Sequence, residues 1–288
     1  SRSEEMDEND SVANDRRAKY RIFKALHDNP GAFVIPNPWD AGSARILTAL
    51  GFKALATTSA GYAYAAGVRD SVGDTDKEGL PQNARQIAEA TDLPVSADLE
   101  DGFGAEPEIC AATIRAASRT GLVGGSIEDA TGDKRNPIFD LNEAFERIAA
   151  AAEAAAKCSF LLTARAENYL WGRLDFDDTL KRLVAYAEAG ADVVYAPALP
   201  DLGAIETVCS AVNKPVNVLM GLSGATYTVA EIADAGAKRI SVGGSLARSA
   251  MGEFIRAAEE IRDQGTFTYS ARAVPDLTIA AYMRREKV

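Results

Sequence analysis

From Tyr20 onward, short apolar runs alternate along the chain with longer alanine-rich segments. The short runs are rich in Val, Ile and Leu and are bounded by turn residues, a pattern typical of buried β-strands. Eight runs are predicted to be strands: Phe33–Pro36, Lys53–Thr58, Leu93–Asp98, Gly125–Glu128, Phe160–Arg165, Asp192–Ala196, Pro215–Leu219 and Arg239–Gly243.

The segments between these runs consist of good helix formers. The clearest predicted helices are Glu143–Lys157, Asp177–Ala189 and Val229–Ala235. Several helical segments end in a glycine shortly before the next apolar run, as expected where a helix ends in a left-handed residue. This strand–helix alternation predicts parallel strands joined by crossover helices.

Eight strand–helix units favour an α/β fold with a single closed (β/α)₈ TIM barrel over an open doubly wound sheet. An open nucleotide-binding sheet carries a glycine-rich phosphate loop after its first strand. Here the first strand is followed by Asn37-Pro38-Trp39-Asp40, which is no such loop. A chain of 288 residues is also close to the typical barrel length of about 250 residues.

We divide the chain into three parts. Residues 1–17 are polar and charged, with little to bury, and are predicted to be a disordered N-terminal tail. Residues 18–265 are predicted to form the barrel, which is the catalytic domain. Residues 266–288 follow the eighth unit and are predicted to be a helical extension that packs on a neighbouring subunit.

The net charge of −11 narrows the range of partners. A chain this acidic repels nucleic acid and anionic membranes, so we expect neither as a partner. The sequence has no apolar run long enough to span a membrane and no signal-peptide pattern, which favours a cytoplasmic location. A small anionic substrate remains compatible with this charge, because a bound divalent cation reverses the local field.

Histidine and cysteine contribute little to the predicted chemistry. The one histidine, His27, is expected at the surface or at a helix end. Cys110, Cys158 and Cys209 are far apart and are expected to be buried thiols in helices. The chemistry therefore depends on carboxylates, Arg, Lys, Asn, hydroxyl groups and a metal ion.

Acidic residues gather where the predicted strands end, which is the active-site end of a parallel barrel. They are Asp98 and Glu100 after the third strand, Glu128 after the fourth, Glu167 after the fifth and Asp70 in the loop after the second. Oxygen ligands without His or Cys suit Mg²⁺, or Mn²⁺, rather than zinc. The competing interpretation is a network of ion pairs on the rim.

A basic and an amide side chain complete this end of the barrel. Arg165 ends the fifth strand and is suited to bidentate binding of a carboxylate or phosphonate. Asn217 lies in the seventh strand and is a candidate substrate-binding residue.

Four segments, taken together and in their order along the chain, resemble the isocitrate lyase/phosphoenolpyruvate mutase superfamily. They are Gly67-Val68-Arg69-Asp70, the stretch from Asp98 to Gly104, Ile127-Glu128-Asp129 and Ala164-Arg165-Ala166-Glu167. The resemblance extends from about Pro36 to Met251. It implies a (β/α)₈ barrel, bound Mg²⁺, and a homotetramer in which subunits exchange their last helices.

The resemblance also implies roles for individual residues. Asp98 corresponds to the direct metal ligand, and Asp70, Glu100 and Glu128 to residues that hold the metal through its waters. Substrate binding is expected from Trp39, Thr57, Thr58, Ser59, Asp98, Arg165, Glu167 and Asn217. Glu100 stands where the family more often has Asp, which suits an indirect contact.

The loop after the fourth strand separates the branches of this superfamily. Asn136 falls where the isocitrate and methylisocitrate lyases have their catalytic Cys, and an amide cannot donate a proton as a thiol does. The Lys-x-Asn of the loop, Lys134-Arg135-Asn136, is similar to that of phosphoenolpyruvate mutase and phosphonopyruvate hydrolase, although Pro137 replaces a serine. The catalytic residues implied are Arg165, Asn136, Lys134 and Glu128.

Three functions remain open from the sequence. The first is a Mg²⁺-dependent enzyme of the phosphoenolpyruvate/phosphonopyruvate mutase type, acting on a small 2-oxo acid or enolpyruvate-type substrate. The second is an oxaloacetate decarboxylase or hydrolase, or another C–C bond lyase without a catalytic Cys. The third is a non-catalytic binder of oxo acids.

Overall fold

The computed structural model describes residues 2–70 and 78–284. All eight predicted strands are present: β1 (Phe33–Ile35), β2 (Leu55–Ala56), β3 (Val95–Asp98), β4 (Gly124–Glu128), β5 (Leu161–Arg165), β6 (Val193–Tyr195), β7 (Val216–Leu219) and β8 (Arg239–Ser241). They pair in parallel in the order β1-β8-β7-β6-β5-β4-β3-β2. A backbone hydrogen bond from Ala56 N to Pro36 O (3.1 Å) joins β2 to the end of β1. The predicted (β/α)₈ barrel is confirmed.

Eleven α-helices are found in the described part of the chain: α1 (Arg2–Asp28), α2 (Ala41–Ala49), α3 (Ser59–Ala66), α4 (Gly79–Glu89), α5 (Pro107–Ser118), α6 (Leu141–Lys157), α7 (Phe176–Glu188), α8 (Leu202–Ala211), α9 (Val229–Asp234), α10 (Ser245–Gln264) and α11 (Asp276–Tyr282). Short 3₁₀ turns at Tyr169–Trp171 and Thr268–Ala271 precede α7 and α11. Cys110 and Cys209 lie in α5 and α8, and Cys158 follows the last residue of α6.

The main apolar core lies between the strands and the surrounding helices. Alanines of α6, such as Ala144 and Ala151, are buried with Ile114 of α5 and Leu162 of β5. Small side chains let the helices lie close to the sheet, so the layer packs without large voids. A second apolar cluster joins Phe23 of α1 to Ile35 of β1, Leu161 of β5 and two residues that directly precede strands, Ala54 before β2 and Val123 before β4.

The prediction of a disordered segment at residues 1–17 differs from the structure, in which α1 begins at Arg2. Arg16 shows why the end of this segment is ordered. Its Nε donates to Leu122 O at 3.0 Å, and its Nη2 donates to Cys158 O and Ser159 O, each at 2.9 Å. The end of the segment is thus held by the charged side chain of Arg16, which binds main-chain carbonyl oxygens. The low apolar content of residues 1–17 does not reveal such a contact.

His27 lies in the last turn of α1, which agrees with the expected helix-end position, but the expected surface position is wrong because His27 is only 5% exposed. Its Nδ1 lies 2.7 Å from Phe23 O and therefore carries the proton. Its Nε2 accepts from Arg239 of β8 at 3.2 Å. Burial, and then the charge of Arg239, lower the pKa of His27 to about 3.

The C-terminal extension follows α10 and contains a 3₁₀ turn and α11. Arg45 of α2 donates to Met283 O at 2.9 Å, so the end of α11 contacts α2 of the same chain. Several large apolar side chains of this extension and of α10 are exposed: Phe254, Phe267, Val274 and Leu277. Across residues 2–70 and 78–284, no helix combines the length and apolar character needed to cross a membrane.

We predict that His27 makes the fold sensitive to acid. The native histidine stays neutral between its ordinary pKa of 6.5 and its folded pKa of about 3, whereas the unfolded chain takes up a proton there. Its contribution to stability is therefore complete above pH 6.5 and is lost as pH falls toward 3, by up to about 1.4 kcal/mol per pH unit.

His27→Gln keeps a donor for Phe23 O and an acceptor for Arg239 but cannot be protonated. Urea unfolding of both proteins at neutral pH and at about pH 5 measures the effect. The wild-type protein should lose more free energy of unfolding than the variant over this interval. Equal losses would contradict this account of His27.

Candidate active site

A cavity of about 400 Å³ opens at the C-terminal ends of the strands. The structure brings ten of the predicted site residues to its walls: Thr57, Thr58, Ser59, Asp70, Asp98, Glu100, Glu128, Arg165, Glu167 and Asn217. Most lie at or just beyond the end of a strand; Asn217 lies within β7, and Asp70 lies in the loop after α3. This convergence follows from the parallel barrel, because all strand ends face the same side.

Arg165, the last residue of β5, lies at the centre of the charged groups. Its Nε donates to Glu167 Oε1 at 2.8 Å. Its Nη1 lies 3.6 Å from Asp98 Oδ1, and its Nη2 lies 3.7 Å from Glu128 Oε2. The guanidinium carbon lies 4.9 Å from the centre of the Tyr195 ring. One edge of the guanidinium is therefore fixed, while its two terminal nitrogens are held near carboxylates at ion-pair distance.

Burial would lower the pKa of Arg165, but the charges of Glu167 and Glu128 raise that pKa well above its usual value. Burial raises the pKa of Glu128, and the nearby charge of Glu167 raises it further. The pKa of Glu167 is also raised by burial, against the attraction of Arg165. The site thus contains more carboxylates than one arginine can neutralise, which favours binding of a further cation.

Asp98 is held by the loop after β2 and the start of α3. Its Oδ2 accepts from Ser59 Oγ at 2.7 Å and from Ser59 N at 3.2 Å, where the helix dipole favours a negative charge. Its main-chain N donates to Thr57 Oγ1 at 2.9 Å, and the hydroxyl of Thr58 accepts from Gly61 N. These polar groups, predicted to bind substrate, here organise Asp98 and α3.

The oxygen donors of this cavity match the needs of a hydrated hard cation. Among the described residues, no three His, Cys, Asp or Glu side chains are close enough to enclose one ion. Magnesium does not need such a cage, because it uses one or two carboxylates and keeps several waters. These carboxylates are compatible with the predicted arrangement, in which Asp98 contacts the metal ion directly and the other carboxylates contact it through water.

Three predicted residues do not line the cavity: Trp39, Lys134 and Asn136. Lys134 and Asn136 are exposed on the loop after β4. A bridge between Ala130 and Ile138 closes the base of this loop, and Asn136 N donates to Asp133 O at 3.1 Å. In this conformation the loop is a compact turn whose Lys134 and Asn136 do not line the cavity.

Trp39 is half-buried at the rim, where its carbonyl oxygen accepts from Asn83 Nδ2 at 2.8 Å. Its Cβ lies against Gly61 of α3, so closely that a side chain on Gly61 would collide with it. This position corresponds to a packed rim aromatic.

The sequence analysis missed several residues of the cavity wall, most notably Tyr195, Arg239 and Ser241. Asn217 connects Arg239 and Ser241, since its Oδ1 accepts from Arg239 Nε at 2.8 Å and its Nδ2 donates to Ser241 Oγ at 2.9 Å. A signal was present, because Arg239 and Ser241 are separated by two positions in a predicted strand and therefore face the same side.

A supporting network behind the wall fixes the strand ends. Asp129 accepts from Glu167 N at 2.8 Å, from Arg182 at 3.1 Å and from the Tyr186 hydroxyl at 2.5 Å. Arg147 of α6 is buried and donates to the carbonyl oxygens of Ala105, Gly104, Glu128 and Asp101. These contacts hold the loop after β3 and the end of β4 in place.

Comparison with known proteins agrees with this fold and site. The chain is 30% identical to a probable 2-methylisocitrate lyase of Corynebacterium glutamicum, over 86% of this chain and 82% of that protein. A crystal structure from Burkholderia cenocepacia J2315, provisionally described as a lyase/mutase, is 52% identical. It matches with a TM-score of 0.90 over 93% of this chain and 96% of that one.

The crystal structure of 2,3-dimethylmalate lyase, a member of the PEP mutase/isocitrate lyase superfamily, is 26% identical. It matches with a TM-score of 0.81 over 95% of each chain. The model of the phosphoenolpyruvate phosphomutase family matches residues 23–262, which include every strand of the barrel. This chain therefore belongs to the phosphoenolpyruvate phosphomutase family, within the PEP mutase/isocitrate lyase superfamily of enzymes.

Proposed function

We propose that this protein is a Mg²⁺-dependent enzyme that stabilises the enolate form of a small 2-oxo acid or enolpyruvate-type substrate. The observation that carries the proposal is the position of Arg165 among Asp98, Glu128 and Glu167 on the wall of one cavity. A binder of oxo acids has no need for this excess of buried carboxylates around a cation, so a catalytic role is favoured.

When bound, Mg²⁺ supplies Lewis-acid stabilisation of negative charge on oxygen. Asp98 and, through water, Asp70, Glu100 and Glu128 would hold it. The terminal nitrogens of Arg165 bind an anionic group of the substrate, and Glu167 and Tyr195 keep the guanidinium in place. Such fixed donors need no reorientation as charge develops, which is the source of electrostatic catalysis.

Within this class, a reaction of the phosphoenolpyruvate/phosphonopyruvate mutase type is the leading candidate. It is supported by the family model and by the Lys134-Arg135-Asn136 sequence of the loop after β4. Because Lys134 and Asn136 lie outside the cavity in this structure, this reaction requires the loop to move toward the substrate.

The second candidate is cleavage of a C–C bond in oxaloacetate or a related acid. It is supported by the exposed position of Asn136, since this reaction needs no phosphoryl-guiding group from the loop. The likeness to a 2-methylisocitrate lyase and to 2,3-dimethylmalate lyase is consistent with it.

A substrate panel tests the proposal directly. We expect turnover of phosphonopyruvate, or of oxaloacetate for the second candidate, to stop with EDTA and return with Mg²⁺. Methylisocitrate should be a poor substrate because Asn136 stands where the lyases have a thiol. Equal turnover in EDTA would contradict a Mg²⁺-dependent reaction, and rapid cleavage of methylisocitrate would contradict our interpretation of the loop.

Asp98→Asn should weaken Mg²⁺ binding by about tenfold or more, because the direct ligand loses its charge. Titration calorimetry with MgCl₂ measures the affinity without any substrate. Asp177→Asn is the matched control, since it makes the same charge change on an exposed residue of α7. The proposal fails if both variants bind Mg²⁺ as the wild-type protein does.

Asn136→Ala distinguishes the two reactions. In a phosphoryl-transferring enzyme it should lower kcat by about 10²-fold, the scale for loss of a transition-state donor, with Mg²⁺ affinity unchanged. In a C–C bond-cleaving enzyme the effect should be small. Arg135→Ala, one residue away and equally exposed, controls for disturbance of the turn.

We also propose a homotetramer in which the C-terminal extension covers a neighbouring subunit. The support is the exposure of Phe254 (73%), Phe267 (62%) and Leu277 (87%), because an apolar surface of this kind marks an interface. Light scattering should give a tetramer that Leu277→Asp shifts to smaller species. Leu174→Asp, at a similarly exposed leucine (74%) outside the extension, should have no effect, and a monomeric wild-type protein would refute the proposal.

A further inference from the structure

The interior of the barrel contains a second charged group, far down the cavity wall from the strand ends. Arg239 is the first residue of β8 and is only 5% exposed, yet it lines the cavity. On β2, β3 and β4, strands that do not pair with β8, the cavity is lined by small side chains, namely Ala56, Ser96 and Ser126. Because they fill little space, the cavity extends down to the guanidinium of Arg239, which forms part of its floor.

The hydrogen bonds of Arg239 leave part of its capacity unused. Its Nε donates to Asn217 Oδ1, and its Nη2 donates to Thr163 Oγ1, both at 2.8 Å. Its Nη1 donates to His27 Nε2 at 3.2 Å. A guanidinium has five N–H groups, so these bonds to protein groups occupy three and leave one hydrogen on each terminal nitrogen.

The charge of Arg239 is not balanced by the protein. All three acceptors are neutral, and within the described residues no carboxylate lies at ion-pair distance from it. Burial lowers the pKa of Arg239 to about 10, which still leaves it protonated at neutral pH. A buried charge is costly unless it is paired, so an unpaired one facing a cavity indicates a missing partner.

Arg147 provides a contrast within the same molecule. It is equally buried, but it donates to four main-chain carbonyl oxygens of the surrounding loops. Its position is explained by the structure of those loops, and it does not line the cavity. Arg239 differs because it lines a cavity that a ligand can occupy, and because one N–H group on each of its terminal nitrogens is not used in these bonds.

The two ends of the cavity therefore have opposite character. Near the strand ends, Asp98, Glu128 and Glu167 outnumber Arg165, and the local charge attracts cations. At the floor, Arg239 attracts anions. A ligand with its metal-binding group at the upper end and a second acidic group below matches both ends.

We propose that Arg239 forms an anion-binding subsite at the floor of the cavity, and that the ligand of this protein carries a second acidic group there. The binding of a metal-chelating group at the upper end of the cavity rests on the proposed function. The anion-binding subsite at Arg239 does not depend on it. The acidic group is either a carboxylate or phosphonate of the substrate itself or a free inorganic anion bound beside it.

Titration calorimetry on three proteins tests the proposal: the wild-type protein, Arg239→Met, which removes the charge, and Arg239→Lys, which keeps it. With Mg²⁺, 2-oxoglutarate and 2-oxobutyrate are compared, since they differ by a second carboxylate. Oxalate with Mg²⁺ reports the upper end alone, and inorganic phosphate in EDTA reports the floor alone.

We expect the wild-type protein to prefer 2-oxoglutarate over 2-oxobutyrate by about tenfold or more, the scale of a charge-assisted hydrogen bond. Arg239→Met should abolish this preference, Arg239→Lys should retain part of it, and oxalate should bind all three proteins equally. If the floor takes a free anion instead, phosphate binds in EDTA with the same dependence on Arg239 and the preference between the oxo acids is absent.

The proposal is overturned if the wild-type protein neither prefers the diacid nor binds phosphate, a result that needs no variant and so does not depend on variant folding. It is also overturned if folded Arg239→Met behaves as the wild-type protein with both probes. Failure of oxalate to bind with Mg²⁺ contradicts the proposed function, and the phosphate titration then still decides the subsite.

Discussion

The desolvation of Arg165 is the constraint on which the site depends. A guanidinium taken out of water must be paired, and the ends of β3, β4 and β5 each bring a carboxylate toward it. The pairing is itself supported from outside the barrel, because Asp129 holds the main chain of Glu167 and is held by Arg182 and Tyr186 of α7. In this way α7, on the outside of the barrel, helps to orient the side chain of Glu167 in the cavity.

The fold and most of the cavity wall could be predicted from the sequence for a physical reason. Buried parallel strands require apolar runs, and their ends must face one side, so the ends of the runs identify the site. This logic predicts that Asp98, Glu128 and Arg165 lie near one another. It does not extend to a residue such as Asn136, whose position depends on a turn formed by local hydrogen bonds.

Other residues could not be predicted because charged groups are buried in ways that hydrophobic patterns do not reveal. Arg16 orders the N-terminal segment by binding carbonyl oxygens far away in sequence. The burial of His27 could not be predicted, because its partner, Arg239, is far away in sequence on the last strand of the barrel. Arg239 begins the eighth predicted strand, but only the pairing of β8 and the lining of the cavity show that it faces the interior of the barrel.

The main apolar core lies outside the cylinder of strands, between β5 and the alanines of α6, whereas the cavity inside the cylinder is lined in part by polar side chains such as Ser96 and Ser126. Substitutions of these small polar side chains therefore remove little of the apolar burial that stabilises the fold. Selection can alter the shape and charge of the interior while the outer layer keeps the chain folded. In such an architecture, the acquisition of a new substrate is largely uncoupled from the risk of unfolding.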